Sequence, residues 1–414
     1  MNNNILLFVL FFLILFQVVV SICFVKRSKQ FVFLNVFFII NFLSIFYISL
    51  PAFIQLSTGI SLVNASVKTI TMTASYGAYF ICVILIFSIL NLKFFPINPS
   101  FSLQLNLGRR GILTFSFLSL ISLFTLSFLI ILINLPEAVS LWGNRPLQSQ
   151  FNEMLQGVYK LNVLFYGQVI FILFFCLKRN DLRYFLLLLP YVILDLILLG
   201  KLYIFFVLVS TVVTSSLLGR RLNLLKLGLL LLLISSLAVL RTVLRTGQFE
   251  VSYLLQILGE FINTWEVSNL IYISVEKQDV LSSLLYSVTR VLPSIYYDTF
   301  VGSYYSYTNI STNLNNLDYG LAGNLVAESL AFGFPYMYFS PVFICVLFSF
   351  VGILPRLRKL SAVVLYVLVC IYILPMFRYS FYEFIFYPLF LLALFAIPYI
   401  LLDLKNVRYK KATG

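Results

Sequence analysis

Histidine is absent from the 414-residue chain, which excludes an imidazole base, a proton relay through imidazole and any His-ligated metal. The five cysteines, Cys23, Cys82, Cys176, Cys345 and Cys370, each fall within or at the end of an apolar run, and no CxxC pair occurs. Neither a thiolate metal site nor an external disulfide framework is written into them. There is no GxxxxGK[ST] and no GxGxxG, which argues against nucleotide-driven transport and dinucleotide chemistry. The lack of a DxD pair weakens a metal-dependent use of nucleotide sugars. Any chemistry is therefore expected to need no metal and no cofactor, and to act on a substrate that is already activated and membrane-bound. No internal repeat is visible, which counts mildly against a secondary transporter built from two halves.

Charge is the next scarcity. Charged residues make up 10% of the chain and hydrophobic residues 61%, and the mean hydropathy is +1.02. Soluble domains do not have this balance. Backbone polar groups in lipid must be satisfied within the segment, so the long Leu, Ile, Val and Phe runs mean helices, while a barrel would show alternation. The expected fold is all-α, a polytopic membrane helix bundle. The net charge of +14 sits in short clusters between apolar runs, with no solvated basic face, so it fixes orientation and gives no case for nucleic acid.

Each crossing needs about 20 apolar residues, which places spans at about 5–24, 31–50, 69–92, 111–135, 161–177, 184–199, 202–218, 227–240, 335–354, 362–376 and 384–402. That is about eleven helices, with ten to twelve compatible with the pattern. The segment 51–68 reads as a polar connection. Lys26, Arg27 and Lys29 follow the first span, and similar clusters at Arg109–Arg110, Lys178–Arg183, Arg220–Lys226 and Arg356–Lys359 mark one side as internal. The N-terminus is thereby expected outside and the C-terminus inside. Three intervals follow: an N-terminal transmembrane bundle over 1–240 with an external loop at 136–160, a large, partly helical external segment over 241–334, and C-terminal transmembrane helices with an internal tail over 335–414.

The interval 241–334 is where the chain departs from span-like composition. The stretch 251–274 carries apolar residues at helical spacing, interrupted by Glu260 and Glu266, and predicts an amphipathic helix on the membrane surface. After it comes a part rich in Tyr, Asn, Ser and Gly. There Tyr296, Tyr297, Tyr304 and Tyr305 suit either the apolar faces of sugar rings or headgroup depth at the interface. Arg145, Lys201, Arg241, Arg245, Arg290 and Arg378 come from separate regions to one side. Converging cations are what a lipid-linked pyrophosphate requires, and snorkelling to headgroups is the plainer alternative. Among the acids, Glu328 begins a helix just ahead of a span, where partial desolvation suits general-base work or an arginine partner; Asp318 and Asp298 are its rivals. Asp195 lies within a span and is expected to pair with Lys201 or another cation.

The runs GKLYIFFVLV, TRVLPSIYY and, above all, NLVAESLAFGFPYMYFSPVF are similar to those of the O-antigen polymerases, the Wzy-type polymerases of oligosaccharide repeat units. The order of spans, with a medium external loop followed by a large one, resembles that family over most of the chain. Two departures stand out: Lys201 follows the glycine where the family often has arginine, and Arg145 with Gly157 is a shortened version of its arginine-to-glycine spacing. The resemblance implies glycosyl transfer at the periplasmic face of the bacterial inner membrane. Donor and acceptor would both be carried on undecaprenyl pyrophosphate, within a setting of membrane lipids and a polysaccharide chain-length regulator. In that scheme the carboxylate of Glu328 or Asp318 is the catalytic base that deprotonates the acceptor hydroxyl, and the six cations hold pyrophosphate. The alternatives are an O-antigen ligase-like transferase, which by its family pattern uses an external histidine, and a lipid-linked oligosaccharide flippase or transporter.

Overall fold

The computed structural model describes residues 3–28, 35–61, 63–94, 110–141, 147–148, 150–151, 154–155, 159–198, 202–220, 252–273, 323–354, 360–378 and 381–393. Among the described residues all regular structure is helical. Seven helices are long and apolar enough to cross a membrane: Asn3–Ser28, Val36–Thr58, Val67–Lys93, Phe115–Ser140, Leu161–Arg179, Tyr336–Ile353 and Ser361–Arg378. Tyr203–Leu217 is a shorter apolar helix. These are the helices of an all-α membrane protein, and each overlaps a span expected from sequence. The expected span at 227–240 lies outside the described residues, as does the second half of the one at 384–402, from 394 on.

The chain divides into two compact units, each drawing on all three sequence intervals. The first comprises Met1–Phe101, Leu258–Ile353 and Tyr372–Pro388; the second comprises Ser102–Ile257, Leu354–Ile371 and Leu389–Gly414.

In the first unit, α1 (Asn3–Ser28), α2 (Val36–Ser44), α3 (Leu50–Thr58) and α4 (Val67–Phe94) pack together. In hydrocarbon, apolar burial gives helices little reason to associate, and polar side chains take that role. Gln17 Nε2 donates to Ser44 Oγ at 2.6 Å, Ser49 Oγ donates to Gln17 Oε1 at 2.5 Å, and Asn41 Nδ2 donates to the Gln17 carbonyl at 2.9 Å. Asn35 caps α2 through its side-chain oxygen and reaches Asn91 Oδ1 at 2.8 Å.

The expected polar connection at 51–68 is corrected here: the helix runs on to Thr58. Proline interrupts a helix because it lacks an N–H and crowds the preceding turn. Here a π-turn over Ile45–Ser49 widens the backbone, with Leu50 N–H bonded to the Ile45 carbonyl, and Pro51 enters at the start of α3. Gly59, at φ 67°, then ends the helix in the left-handed conformation that a residue without Cβ adopts freely.

The second unit packs α5 (Arg110–Ser140), α6 (Leu161–Arg179), a 3₁₀ turn over Leu182–Leu188, α7 (Leu189–Ile197) and α8 (Leu202–Leu217). Gln168, fully buried on α6, donates through Nε2 to the Leu123 carbonyl at 3.0 Å and to Ser127 Oγ at 2.6 Å. The segment read as one span at 184–199 is thus a 3₁₀ turn followed by a short α-helix. Asp181 starts that turn by accepting from Arg183 N–H at 2.9 Å. The Arg183 side chain, bonded to the same carboxylate, is the main cause that holds Asp181 below its ordinary range.

Asp195 does not pair with a cation among the described residues. Its Oδ2 accepts from Ile204 N–H at 3.0 Å, at the start of α8, where unsatisfied amides favour a carboxylate. Lys201, its expected partner, lies outside the described residues.

Candidate functional site

The first unit also holds α9 (Ser252–Ile273) from Leu258 on, α10 (Leu325–Ala331), α11 (Tyr336–Ile353), the end of α12 (Leu360–Arg378) from Tyr372 on, and α13 (Phe381–Phe384). The surface helix expected at 251–274 is corrected in its second half. Thr264, Trp265, Glu266, Val267, Ser268 and Asn269 are all buried, so every side of that turn is covered by protein. The helical spacing was real, but the polar residues that broke it serve a buried polar cluster.

Glu266 is the centre of that cluster. Its Oε1 accepts from Gln55 Nε2 at 2.7 Å, and its Oε2 accepts from Ser61 Oγ at 2.9 Å and Asn269 Nδ2 at 3.1 Å. Gln55 turns its own oxygen to Trp265 Nε1 at 2.8 Å and Asn269 Nδ2 at 2.9 Å. Each of these donors faces an acceptor, so the buried carboxyl group of Glu266 has hydrogen-bond partners on both oxygens. Trp265 closes the cluster against α4, where a Cβ built on Gly77 would stand 2.7 Å from the far edge of the indole ring.

Asn324 carries the network onward. It is buried, and its Oδ1 accepts from Val326 N–H and Ala327 N–H, both at 3.0 Å, which caps α10. The same oxygen accepts from Ser268 Oγ at 3.2 Å. Its Nδ2 donates to the Thr264 carbonyl at 3.2 Å and the Tyr47 carbonyl at 3.3 Å.

Glu328 lies one turn along α10 and is buried throughout its side chain. Phe381 N–H donates to its Oε2 at 2.7 Å and Tyr382 N–H to its Oε1 at 3.3 Å. These are the first two amides of α13, which stabilise negative charge there. Tyr382 also donates its hydroxyl to Ser340 Oγ at 3.1 Å, and Ser340 and Ser329 share a hydrogen bond of 2.8 Å. Burial raises the Tyr382 phenol above its ordinary value, the bond to Ser340 opposes this, and the charge of Glu328 adds to it, so the group stays a donor. The Tyr382 ring packs edge-on to Phe332 and flat against Phe343.

A proline inside a helix leaves a carbonyl without its usual donor in the same neighbourhood. Pro341 lies within α11 and cannot donate to the Met337 carbonyl four residues back; the Tyr76 hydroxyl donates there instead. Tyr79 does the same for the next carbonyl, Tyr338, at 2.7 Å.

Of the site residues expected from sequence, the structure describes Glu328 and Arg378. Arg378 ends α12, where a cation suits the helix terminus, and stands three residues before Phe381, the amide that holds Glu328. Arg145, Lys201, Arg241, Arg245, Arg290, Asp298, Asp318, Tyr296, Tyr297, Tyr304 and Tyr305 lie outside the described residues.

Sequence reasoning passed over Gln55, Trp265, Asn269, Asn324, Ser340 and Tyr382. Two signals were present. Glu266 and Asn269 are three apart in an otherwise apolar helix and so share a face, and Asn324 immediately precedes an apolar helical run, where a cap belongs. Among the described residues no group of three or more Cys, Asp or Glu side chains converges as a metal ion would need. No model of a protein family, no curated protein and no solved structure matches the chain.

Proposed function

We propose that the chain is a glycosyltransferase that polymerises undecaprenyl-pyrophosphate-linked oligosaccharide repeat units into O-antigen or a related surface polysaccharide. It works at the periplasmic face of the bacterial inner membrane, with about eleven spans, the N-terminus outside and the C-terminus inside. One relationship carries the reading: Glu328 accepts hydrogen bonds from the turn that begins three residues after Arg378. An acid and a cation, the two kinds of group such a transfer uses, are held by one short piece of backbone.

In this scheme the acceptor hydroxyl attacks the anomeric carbon of the donor glycan, and its proton passes to a carboxylate, Glu328 or Asp318. The bond between that carbon and the pyrophosphate oxygen breaks as the new glycosidic bond forms. Arg378, with Arg145, Lys201, Arg241, Arg245 and Arg290, stabilises the departing undecaprenyl pyrophosphate. Tyr296, Tyr297, Tyr304 and Tyr305 stack on the glycan. A chain-length regulator and a flippase are the functional neighbours. The test is direct: purified protein given undecaprenyl-pyrophosphate-linked repeat units, with no nucleotide added, is expected to yield a polymer ladder. Unchanged substrate under conditions where the protein is folded contradicts the reading.

A second reading has one observation in its favour. Glu266, buried with Gln55 and Asn269 inside the helix bundle, is the kind of intramembrane acid that transporters use for substrate or ion coupling. A flippase of lipid-linked oligosaccharides is separated from a polymerase by the product that accumulates in its absence.

A further inference from the structure

An asparagine that only caps a helix uses its side-chain oxygen, and serine, threonine or aspartate serves nearly as well. Asn324 does more. Its oxygen caps α10, while its Nδ2 donates to two backbone carbonyls on two other elements, Thr264 on α9 and Tyr47 in the π-turn between α2 and α3. The Tyr47 carbonyl is the one that Pro51, four residues on, has no N–H to meet. The proline that admits α3 thus presents an acceptor, and Asn324 occupies it.

Two consequences follow for geometry. Residues 274–322 separate α9 from Asn324 in sequence, and the Asn324 side chain bonds back to α9, to the Thr264 carbonyl and to Ser268. Glu328 is bound to the same residue, since Glu328 N–H donates to the Asn324 carbonyl at 3.0 Å. A shift of Asn324 is therefore a shift of Glu328. At its other end Glu328 is held by the amides of Phe381 and Tyr382.

We infer that Asn324 is a positioning residue for Glu328: its amide nitrogen registers the acid helix against the proline-opened turn of the α2–α3 span and against α9, and so sets where the carboxylate stands for glycosyl transfer. The catalytic part of this inference rests on the polymerase reading; the registration does not.

The experiment uses the full-length protein in detergent with undecaprenyl-pyrophosphate-linked repeat units. Asn324→Ser and Asn324→Asp keep an oxygen to cap α10 and lose both amide donations. Ser268→Ala removes only a bond to the capping oxygen. Misplacing a reacting group by about 1 Å costs on the order of a hundredfold in rate. Both Asn324 variants are expected to lose kcat by about ten- to a hundredfold at unchanged KM, while Ser268→Ala stays within about twofold of the parent. Hydrogen exchange of the α10 amides, read by mass spectrometry, is expected to quicken in both Asn324 variants. Wild-type kcat in Asn324→Ser overturns the positioning role, as does a fall of kcat that only tracks the loss of folded protein. Unchanged exchange in both variants overturns the registration. If the parent protein forms no polymer, the polymerase reading fails by itself and exchange alone decides the registration. If Glu328→Ala is fully active, the catalytic part of the inference falls with it.

Discussion

Gln55 Nε2 donates to Glu266 Oε1 at 2.7 Å, joining positions 211 residues apart inside the first compact unit. Gln55, itself buried, stands in a helix because the π-turn before Pro51 lets α3 continue, and Gln55, Ser61 and Asn269 give the buried Glu266 its donors. The pair links a backbone irregularity to a buried carboxyl group.

Replacing Gln55 with alanine removes the partner of the Trp265 indole N–H, takes one of the two acceptors of the Asn269 amide, and takes one donor from Glu266. Each stranded buried group costs about 1–3 kcal/mol, so Gln55→Ala is expected to destabilise the folded protein by several times what a surface change does, about 3 kcal/mol. Thermal unfolding of the purified protein in detergent measures it, and a melting temperature equal to the parent's contradicts the cluster.

Gly77→Ala tests the same cluster from the other side. The added methyl meets the edge of a rigid indole ring at 2.7 Å, and Trp265 is fully buried and has no room to retreat. Overpacking of this kind costs about 1–3 kcal/mol. Since Trp142 is the chain's other tryptophan, a Trp142→Phe background makes Trp265 emission the local reporter, and Gly77→Ala is expected to shift it.

Much of the fold was legible because hydrocarbon imposes one solution on apolar runs. The spans at 5–24, 69–92, 111–135 and 161–177 correspond to α1, α4, α5 and α6, with the helices extending a few residues further at most ends. What composition does not carry is where a helix survives a proline. Pro51 reads as a stop, and only the π-turn over Ile45–Ser49, held by contacts distant in sequence, shows that it is not. The surroundings of the buried acids are hidden from the sequence for a related reason. Asp195 and Glu328 invite pairing with arginine or lysine, yet each also accepts backbone amides at the start of a neighbouring helix, donors that belong to no residue type. Glu266 was legible as a break in an apolar face and was assigned to water, because its partner Gln55 is remote in the chain.

Glu328→Ala and Tyr382→Phe separate the carboxylate from its surroundings. The phenylalanine keeps the backbone amide on Glu328 and both ring contacts, and loses only the bond to Ser340, worth about 1 kcal/mol. Polymer length on a gel is expected to survive Tyr382→Phe and to vanish in Glu328→Ala, with both proteins present in the membrane at parental amounts. Full activity of Glu328→Ala removes that residue from the mechanism.

Orientation is checked by cysteine placement in a background lacking the five native thiols. A cysteine at Asn2 is expected to react with an impermeant maleimide in intact cells, and one at Gly414 only after the cells are opened. The reverse pattern overturns the proposed external placement of the cations, Arg145 and Arg378 included.

The central claim is that this chain joins repeat units, and the most direct measurement is the lipopolysaccharide ladder of a strain deleted for it. Molecules carrying at most a single repeat unit are expected, restored to full ladders by the parent chain and left unrestored by Arg241→Ala. Ladders of parental length in the deleted strain contradict it, and complete loss of even the single unit transfers the case to the flippase reading.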